Sequence, residues 1–297
     1  MGLLRLASYN IQYGKGKDGR YDLPRIVADL GDRDIIALQE VETNFARSGM
    51  TDQPAIIADL LPHMHWVFGP GINIDASTVE HGRVIQHRRQ YGNMVLSRWP
   101  ILSTVTHPLP KIALVEIFHQ QRCLVETVIA TPDGPLRVMS VHLDHVSPDT
   151  RMPQVEMMMD LALNGRIRGG NWGGHHTGDA FTDGPPPMPD DVVIMGDMNF
   201  ACDGPEYTRV LGDKSQWYGR TYRAGGLADA WIAAGHYEQD GDTCPHDDGV
   251  EGPRRIDHCF VSARLAPLVT AMSIGTEAQG SDHNPIFCDL TIAGRLG

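Results

Sequence analysis

Short runs of apolar residues recur along the chain, and each run ends in polar residues. Runs of about four to eight apolar residues bounded by turn residues are typical of buried strands. The pattern predicts strands at Leu3–Ala7, Ile35–Leu38, Asn93–Leu96, Leu124–Ile129, Leu136–Val141, Val192–Met195 and Cys259–Val261. Segments with the length and spacing of amphipathic helices lie at Leu23–Leu30, Gln53–Leu61, Met152–Leu163 and Leu227–Ala234. The sequence therefore predicts a fold in which strands and helices are mixed throughout.

Two segments interrupt this pattern. Residues 69–90 hold the one concentrated basic patch, formed by His81, Arg83, His87, Arg88 and Arg89. Residues 165–191 are rich in Gly and Pro, which favours a loop. We expect residues 1–297 to form a single domain, because the polar residues described below lie on both sides of these segments. Both are then loop insertions that shape access to a site.

Composition and charge narrow the classes of protein. Hydrophobic residues make up 41% of the 297 residues and charged residues 21%, which is close to the soluble globular average and excludes a collagen or a coiled coil. The net charge of -12 argues against a broad electrostatic surface for nucleic acid. A nucleic-acid partner stays open, because bound divalent cations can reverse the charge that a phosphate meets in an acidic cleft.

The cysteines and the apolar runs bear on location. Five cysteines lie far apart without a C-x-x-C pair, and an odd number cannot all pair within one chain. Reduced thiols in a cytoplasmic protein are the simplest interpretation. No apolar stretch approaches the roughly 18 residues of a membrane span, and the N-terminus lacks a long apolar region. We expect neither a signal peptide nor a membrane span.

Polar side chains stand at the ends of the apolar runs, where a sheet would deliver them to one edge. They are Asn10, Glu40, His142, Asp197, Asn199, Asp257, Asp282 and His283. Divalent cations such as Mg²⁺ prefer carboxylate and amide oxygens, which Glu40, Asn10 and Asp282 offer. The acid–base groups available are Asp197, His142 and His283. These residue types predict hydrolysis of a phosphate ester by a positioned water.

Six runs in this order resemble the motifs of the endonuclease/exonuclease/phosphatase superfamily. They are SYNIQ (8–12), LQEV (38–41), SVHLDH (140–145), MGDMN (195–199), RIDHCFVS (255–262) and SDHNP (281–285), and the resemblance extends from Asn10 to Pro285. It implies the DNase I-like α+β fold, a four-layer α/β/β/α sandwich of two packed, mostly antiparallel sheets flanked by helices. The HxDH pattern in SVHLDH looks like one bacterial branch of the superfamily.

The resemblance also implies roles for individual residues. Glu40 corresponds to the principal metal ligand, with Asn10 and Asp282 as further ligands for one or two Mg or Mn ions. Asp197 resembles the residue that orients or deprotonates the attacking water, and Asn199 the residue that holds the phosphate.

Two histidines complete the implied machinery. Asp257 resembles the carboxylate that hydrogen-bonds His283, fixing its tautomer and raising its pKa. His142 resembles the histidine that contacts the phosphate or protonates the leaving oxygen, and which group is acid and which is base stays open. No carboxylate partner for His142 can be identified from the sequence. His258 of RIDHCF stands where many members have an aromatic residue, a change expected to affect packing more than chemistry.

Four further positions have both a functional and a structural interpretation. Arg122 matches a phosphate-binding arginine of bacterial members, or is a surface arginine ahead of a strand. Tyr91 is either an active-site aromatic or ordinary packing. Asp144 and His145 are either functional or, respectively, a loop cap and a satisfied polar residue.

The leading hypothesis is a divalent-metal-dependent phosphodiesterase acting by in-line attack of water on a phosphate-ester substrate. A nuclease acting on DNA or RNA is the first alternative, and Arg83, Arg88 and Arg89 are its candidate phosphate contacts. A catalytically silent binding module on the same scaffold is the second. The sequence leaves the physiological substrate and the oligomeric state open.

Overall fold

A computed structural model describes residues 2–174, 177–178, 184–245 and 253–292. Up to residue 108 the elements are β1 (Gly2–Asn10), α1 (Leu23–Leu30), β2 (Ile35–Thr43), α2 (Gln53–Leu60), β3 (His65–Asp75), β4 (Thr78–Glu80), β5 (Arg83–Ile85), β6 (Arg88–Ser97) and β7 (Ile101–Pro108). They continue with β8 (Cys123–Thr131), β9 (Gly134–His142), α3 (Pro148–Leu163), α4 (Gly165–Arg168), β10 (Val192–Asp197), α5 (Pro205–Leu211), β11 (Lys214–Ser215), β12 (Gly219–Arg220), β13 (Leu227–Asp229), α6 (Ala230–Ala233), β14 (Asp257–Ser262), β15 (Val269–Ile274) and β16 (Ile286–Ile292). Short 3-10 helices lie at Gln12–Gly14, Ala46–Ser48 and Ala263–Leu268.

Two six-stranded sheets form the centre of the molecule. The first sheet has the strand order β15-β16-β1-β2-β6-β3, and the second has β13-β14-β10-β9-β8-β7. Neighbouring strands are antiparallel except for one central pair in each sheet, β1 with β2 and β9 with β10, which run parallel. The predicted pair of mostly antiparallel sheets is confirmed.

Apolar side chains on both faces of each sheet produce the layers. The inner faces pack against each other through residues such as Leu6, Val138 and Met195. Helices α1 and α2 cover the outer face of the first sheet, while α3 and α5 cover that of the second. A strand buried on both faces shows a continuous apolar run, which is why these strands were predictable. The four-layer sandwich is confirmed.

The long helices begin where the sequence supplies a cap. Asp22, Asp52 and Ser147 each accept a hydrogen bond from a backbone N–H in the first turn of α1, α2 and α3, and each helix has a proline at one of its first two positions. No helix in the described parts of the chain is long and apolar enough to cross a bilayer.

A polar belt, formed by Ser8, Gln39 and Ser140, lies between the apolar core and the edge of the sheets at which β1 and β9 end. Ser8 Oγ donates to Gln39 Oε1 at 3.3 Å, and Gln39 Nε2 donates to Ser140 Oγ at 2.9 Å. Since Ser140 lies on β9 and the other two residues lie on β1 and β2, the belt joins the two sheets by hydrogen bonds.

Residues 69–90, for which the sequence predicts a loop, are mostly strand. They contain the end of β3, the β4–β5 hairpin and the start of β6. The hairpin turns at His81 and Gly82, whose φ values of 49° and 76° fit a two-residue type I′ turn. The loop prediction failed here because the hairpin is exposed on both faces and shows no apolar run.

The predicted helix at Leu227–Ala234 is wrong in its first part. Leu227–Asp229 form β13 beside β14, and only Ala230–Ala233 are helical. Asp229 accepts from the backbone N–H of Trp231 at 2.8 Å, so the helix starts there. The other predicted loop, 165–191, begins with α4, and its positions 175–176 and 179–183 lie outside the described residues.

Candidate active site

The parallel pairs at the centre of each sheet place the predicted residues together. Asn10, His142 and Asp197 are the last residues of β1, β9 and β10, whose carboxyl ends point to the same edge of the sandwich. Neighbouring elements add the remaining residues: β2 supplies Glu40, β14 begins at Asp257, and the segment between β15 and β16 carries Asp282 and His283.

A cavity of about 490 Å³ opens at this edge. Of the predicted residues, it is lined by Glu40, Tyr91, Arg122, His142, His145, Asp197, Asn199, Asp282 and His283. Asn10 and Asp257 lie behind this lining, almost fully buried, and hydrogen-bond the residues that face the cavity. Asp144 does not line the cavity.

Asp197 is the centre of the hydrogen-bonding network. Its Oδ2 accepts from Asn10 Nδ2 at 3.0 Å and lies 3.3 Å from His142 Nε2. Burial raises the pKa of Asp197 to about 7, with the charge of His283 opposing this and that of Asp257 adding to it. A carboxylate poised to take up a proton near neutral pH therefore lies at the floor of the cavity.

Arg122 determines the tautomer of His142. Its Nη1 donates to His142 Nδ1 at 3.0 Å, and because a guanidinium only donates, the ring hydrogen of His142 is on Nε2, toward Asp197. Burial, and then the charge of Arg122, hold the pKa of His142 well below its usual value, so the ring is neutral. Nη2 of Arg122 donates to His145 Nδ1 at 3.1 Å. Only 4% of Arg122 is exposed, so the surface interpretation of this residue is wrong.

His283 is the charged histidine. Its Nδ1 donates to Asp257 Oδ2 at 2.8 Å, which is the hydrogen bond that the resemblance implies. Burial works against the charged ring, but the carboxylates of Asp257 and Asp197 outweigh it and raise the pKa of His283 well above its ordinary value. Nε2 of this imidazolium lies 3.7 Å from Asp197 Oδ2.

The backbone is strained where it presents the site. Glu40 has a φ of 61° at a bulge in β2, and Asn199 has a φ of 53° just after β10. Gln12 and Tyr13, which follow β1, have φ values of 43° and 46°. Non-glycine residues in this left-handed region cost free energy and cluster at functional sites.

Gln12 is a cavity residue that was not predicted from the sequence. Its Nε2 donates to Asp282 Oδ2 and holds this carboxylate in the cavity. The available signal was its position two residues after Asn10 in the run SYNIQ. A neutral side chain at that position carries no chemical signal of its own.

The carboxylates of Glu40 and Asp282 bring hard oxygen donors to the lining of the cavity. Burial raises the pKa of Glu40; the charge of Arg122 opposes this shift, and the Asp282 carboxylate adds to it. This donor set fits Mg²⁺ or Mn²⁺, which use one or two carboxylates together with water and substrate oxygens. Asn10 directs its Nδ2 to Glu40 Oε1 at 3.2 Å, and its Oδ1 accepts from the backbone N–H of Gln12. Within the described residues, no group of three or more His, Cys, Asp or Glu side chains is arranged to hold an ion.

The remaining predicted residues differ in their surroundings. Tyr91 is buried on the cavity wall, and its hydroxyl accepts from Gln120 Nε2 at 3.4 Å. Asn199 faces the cavity while its Nδ2 donates to the Leu143 carbonyl at 3.0 Å. Asp144 accepts from the backbone N–H of Val146 at 2.7 Å, which supports its interpretation as a loop cap.

A second buried histidine–aspartate group, here called the structural cluster, lies away from the cavity and consists of Tyr207, Asp229, Arg255 and His258. Arg255 Nη1 donates to Asp229 Oδ2 at 3.1 Å and to His258 Nδ1 at 2.8 Å. His258 Nε2 donates to the Phe200 carbonyl at 2.8 Å. Burial lowers the pKa of His258 to about 4, so this ring is neutral and packs among aromatic rings.

Comparison with known proteins establishes the fold and the family of the chain. Among solved structures, an endonuclease/exonuclease/phosphatase from Beutenbergia cavernae is 21% identical with a TM-score of 0.64, over 99% of this chain and 72% of that one. A mannosyl-6-phosphatase from Bacteroides thetaiotaomicron is 18% identical with a TM-score of 0.58 (97% and 99%), and D. rerio TDP2 in complex with a single-strand DNA product is 16% identical with a TM-score of 0.55 (98% and 100%). These likenesses establish the fold. No curated protein matches the chain. The family model described as Endonuclease/Exonuclease/phosphatase family matches residues 7–283, and the chain therefore belongs to the endonuclease/exonuclease/phosphatase family.

Proposed function

We propose that the protein is a divalent-metal-dependent phosphoesterase that hydrolyses phosphodiesters by in-line attack of water. The observation that carries this proposal is the meeting of Asp197, His142 and His283 with the carboxylates of Glu40 and Asp282 at one cavity. Membership of the family supports a phosphoesterase, and the structurally similar mannosyl-6-phosphatase and TDP2 bound to a DNA product are consistent with it.

In this proposal Glu40 and Asp282 hold the Mg or Mn ion. Such an ion would supply Lewis-acid polarisation of a phosphoryl oxygen. Asn10, predicted as a ligand, orients Glu40 and Asp197 through its amide group, and Gln12 orients Asp282.

Protein groups move the protons and bind the phosphate. Asp197, whose pKa is raised by burial, accepts the proton of the attacking water at Oδ2. The His283 imidazolium, held by Asp257, stabilises charge on the phosphate and the leaving oxygen. Arg122 and Asn199 face the same space, and a guanidinium suits contacts to two phosphate oxygens. Neutral His142 directs its Nε2–H to Asp197 Oδ2, 3.3 Å away, and serves as a hydrogen-bond donor rather than as a source of protons.

Small or single-stranded substrates fit better than long duplex nucleic acid. In the basic patch, Arg88 Nε donates to Asn73 Oδ1 at 2.8 Å and Arg89 Nε donates to the Asn44 carbonyl at 3.0 Å, so each guanidinium uses part of its hydrogen-bonding capacity within the protein. The net charge of -12 points the same way. We place the enzyme in the cytoplasm, an assignment supported by five free thiols.

Hydrolysis of bis-p-nitrophenyl phosphate and p-nitrophenyl phosphate, each with Mg, Mn or EDTA, tests the proposal. We expect metal-dependent cleavage of the diester that is lost in Asp197→Asn and kept in Asp203→Asn, which makes the same change at an exposed position. Preference for the monoester would assign the protein as a phosphomonoesterase instead of a phosphodiesterase. Full activity in EDTA, or in the Asp197 variant, would refute the mechanism.

A further inference from the structure

One wall of the cavity carries none of the proposed acid–base or metal-binding groups. It is formed by Tyr13, Phe45, Ile72, Ile74 and Phe118, together with the guanidinium of Arg47. The acid–base groups and carboxylates lie in the same cavity, so a phosphate held by them would carry its substituent along this wall. The wall would therefore contact the part of the substrate that does not react.

Arg47 is held rigidly as a flat surface. Its Nε donates to Glu42 Oε2 at 3.0 Å, and Glu42 is fully buried, so the pair is fixed and its charge is compensated. The guanidinium carbon lies 3.8 Å from the ring centroid of Tyr13 and 4.9 Å from that of Phe45. Planar groups stacked in this way offer contact area at little cost in side-chain entropy.

Two apolar side chains of this wall are exposed. Phe118 is 79% exposed and Ile74 is 49% exposed. They come from different segments, the connection between β7 and β8 and the end of β3, yet both border the cavity. Exposed apolar groups that line a cavity beside a few polar groups are typical of ligand contacts.

We infer that this wall is a subsite for a planar unsaturated ring carried by the substituent of the phosphate, so that the enzyme favours substrates with such a ring over substrates with a saturated substituent. The inference rests on the proposed function for the position of the phosphate. Flat rings stack on guanidinium and aromatic faces, whereas a saturated group of the same size loses this contact. An aryl group and a nucleobase share this chemistry.

Calorimetric titration with phosphonates, which contain a carbon–phosphorus bond and are not phosphate esters, separates binding from turnover. With Mg present, we expect phenylphosphonate to bind about tenfold more tightly than methylphosphonate and more tightly than cyclohexylphosphonate. Phe45→Ala and Phe118→Ala should each reduce this preference severalfold. Val115→Ala is the matched control, because Val115 is 85% exposed on the segment of Phe118 and does not line the cavity.

Thymidine 5′-phosphate compared with ribose 5-phosphate distinguishes the source of the ring. Tighter binding of the nucleotide assigns the subsite to nucleobases, and a ring preference confined to phenylphosphonate assigns it to small aryl groups. Equal binding of the phenyl, cyclohexyl and methyl ligands, or an equal effect of Val115→Ala, would overturn the subsite. If the ring preference is present but no phosphate ester is hydrolysed, the subsite stands and the proposed function fails.

Discussion

The molecule contains two buried groups in which a histidine lies near an aspartate, and they behave oppositely. In the structural cluster, His258 accepts from Arg255 and donates to a backbone carbonyl, and its pKa is lowered to about 4. At the cavity, His283 faces Asp257 and Asp197, and its pKa is raised well above its ordinary value. Both histidines are buried, with exposures of 0% for His258 and 8% for His283, yet one is neutral and the other is charged.

The difference lies in what completes each network. Asp229 of the structural cluster accepts from Tyr207, Arg255 and the backbone N–H of Trp231, so its charge is compensated within the protein. Asp197 shares one cationic neighbour, the His283 imidazolium, with Asp257, and it opens on the cavity. A histidine–aspartate pair is therefore no sign of catalysis by itself, and the site is distinguished by its position at a cavity and by carboxylates that outnumber the charged histidine.

The largest effect should come from Asp197→Asn. Because the variant removes the proposed proton acceptor, we expect kcat for bis-p-nitrophenyl phosphate to fall by about 10³-fold. Thermal unfolding should occur at an equal or higher temperature, since burial disfavours the lost charge. Initial rates and a melting curve measure both effects, with Asp203→Asn as control. Retention of more than about a tenth of the activity would contradict the role of Asp197.

The structural cluster predicts a pH dependence of stability. The unfolded chain binds a proton at His258 below about pH 6.5, but the folded protein does so only near pH 4, so stability falls as the pH drops through this window. For this one group the loss is at most about 3 kcal/mol. Urea unfolding of wild type and His258→Phe at pH 7, 5.5 and 4.5 isolates the contribution. Identical pH slopes in the two proteins would show that His258 is not held neutral.

Arg122→Lys should weaken the site without unfolding it. Lysine keeps the charge but cannot donate to His142 and His145 from one planar group. We expect kcat/KM to fall about thirtyfold, which corresponds to about 2 kcal/mol for hydrogen bonds to charged groups. Steady-state kinetics on the diester provide the measurement. An unchanged kcat/KM would mean that the charge alone is sufficient.

The smallest effect should be that of Tyr207→Phe, which removes the hydroxyl that donates to Asp229 at 2.5 Å. Asp229 keeps Arg255 and the Trp231 N–H, so the free energy of unfolding should fall by only about 1 kcal/mol. Turnover per folded molecule should stay at the wild-type level. A variant with normal stability but reduced turnover would show that the structural cluster takes part in catalysis. The two histidine–aspartate groups would then no longer differ in function.

The sequence was informative wherever a strand is buried on both faces. Segments such as Leu124–Ile129 and Leu136–Val141 show unbroken apolar runs and lie within β8 and β9. The outer strand β7 contains partly buried and exposed positions, the strand β16 alternates buried with partly buried positions, and neither was predicted. An alternating strand shares its composition with a polar segment, so runs of apolar residues cannot detect it.

For the site, the sequence identified residues by type and motif but did not reveal contacts between distant segments or the burial of individual side chains. Glu40, Asp197 and His283 were predicted from residue type and motif, and all three line one cavity. Gln12 and Arg47 were missed because their roles depend on contacts with residues distant in the sequence. Gln12 hydrogen-bonds Asp282 and Arg47 stacks on Tyr13, and a local sequence pattern contains no information on such contacts. The buried position of Arg122 likewise became visible only with the fold.

The strand order has a consequence for biosynthesis. The chain leaves the first sheet after β6, builds the second sheet, and returns to pair β16 with β1. Asp282 and His283 arrive with this return. A nascent chain that has folded its first 260 or so residues would hold Glu40, His142 and Asp197 but lack the charged histidine, so ribosome-bound intermediates are expected to be inert toward phosphate esters until β16 has joined β1.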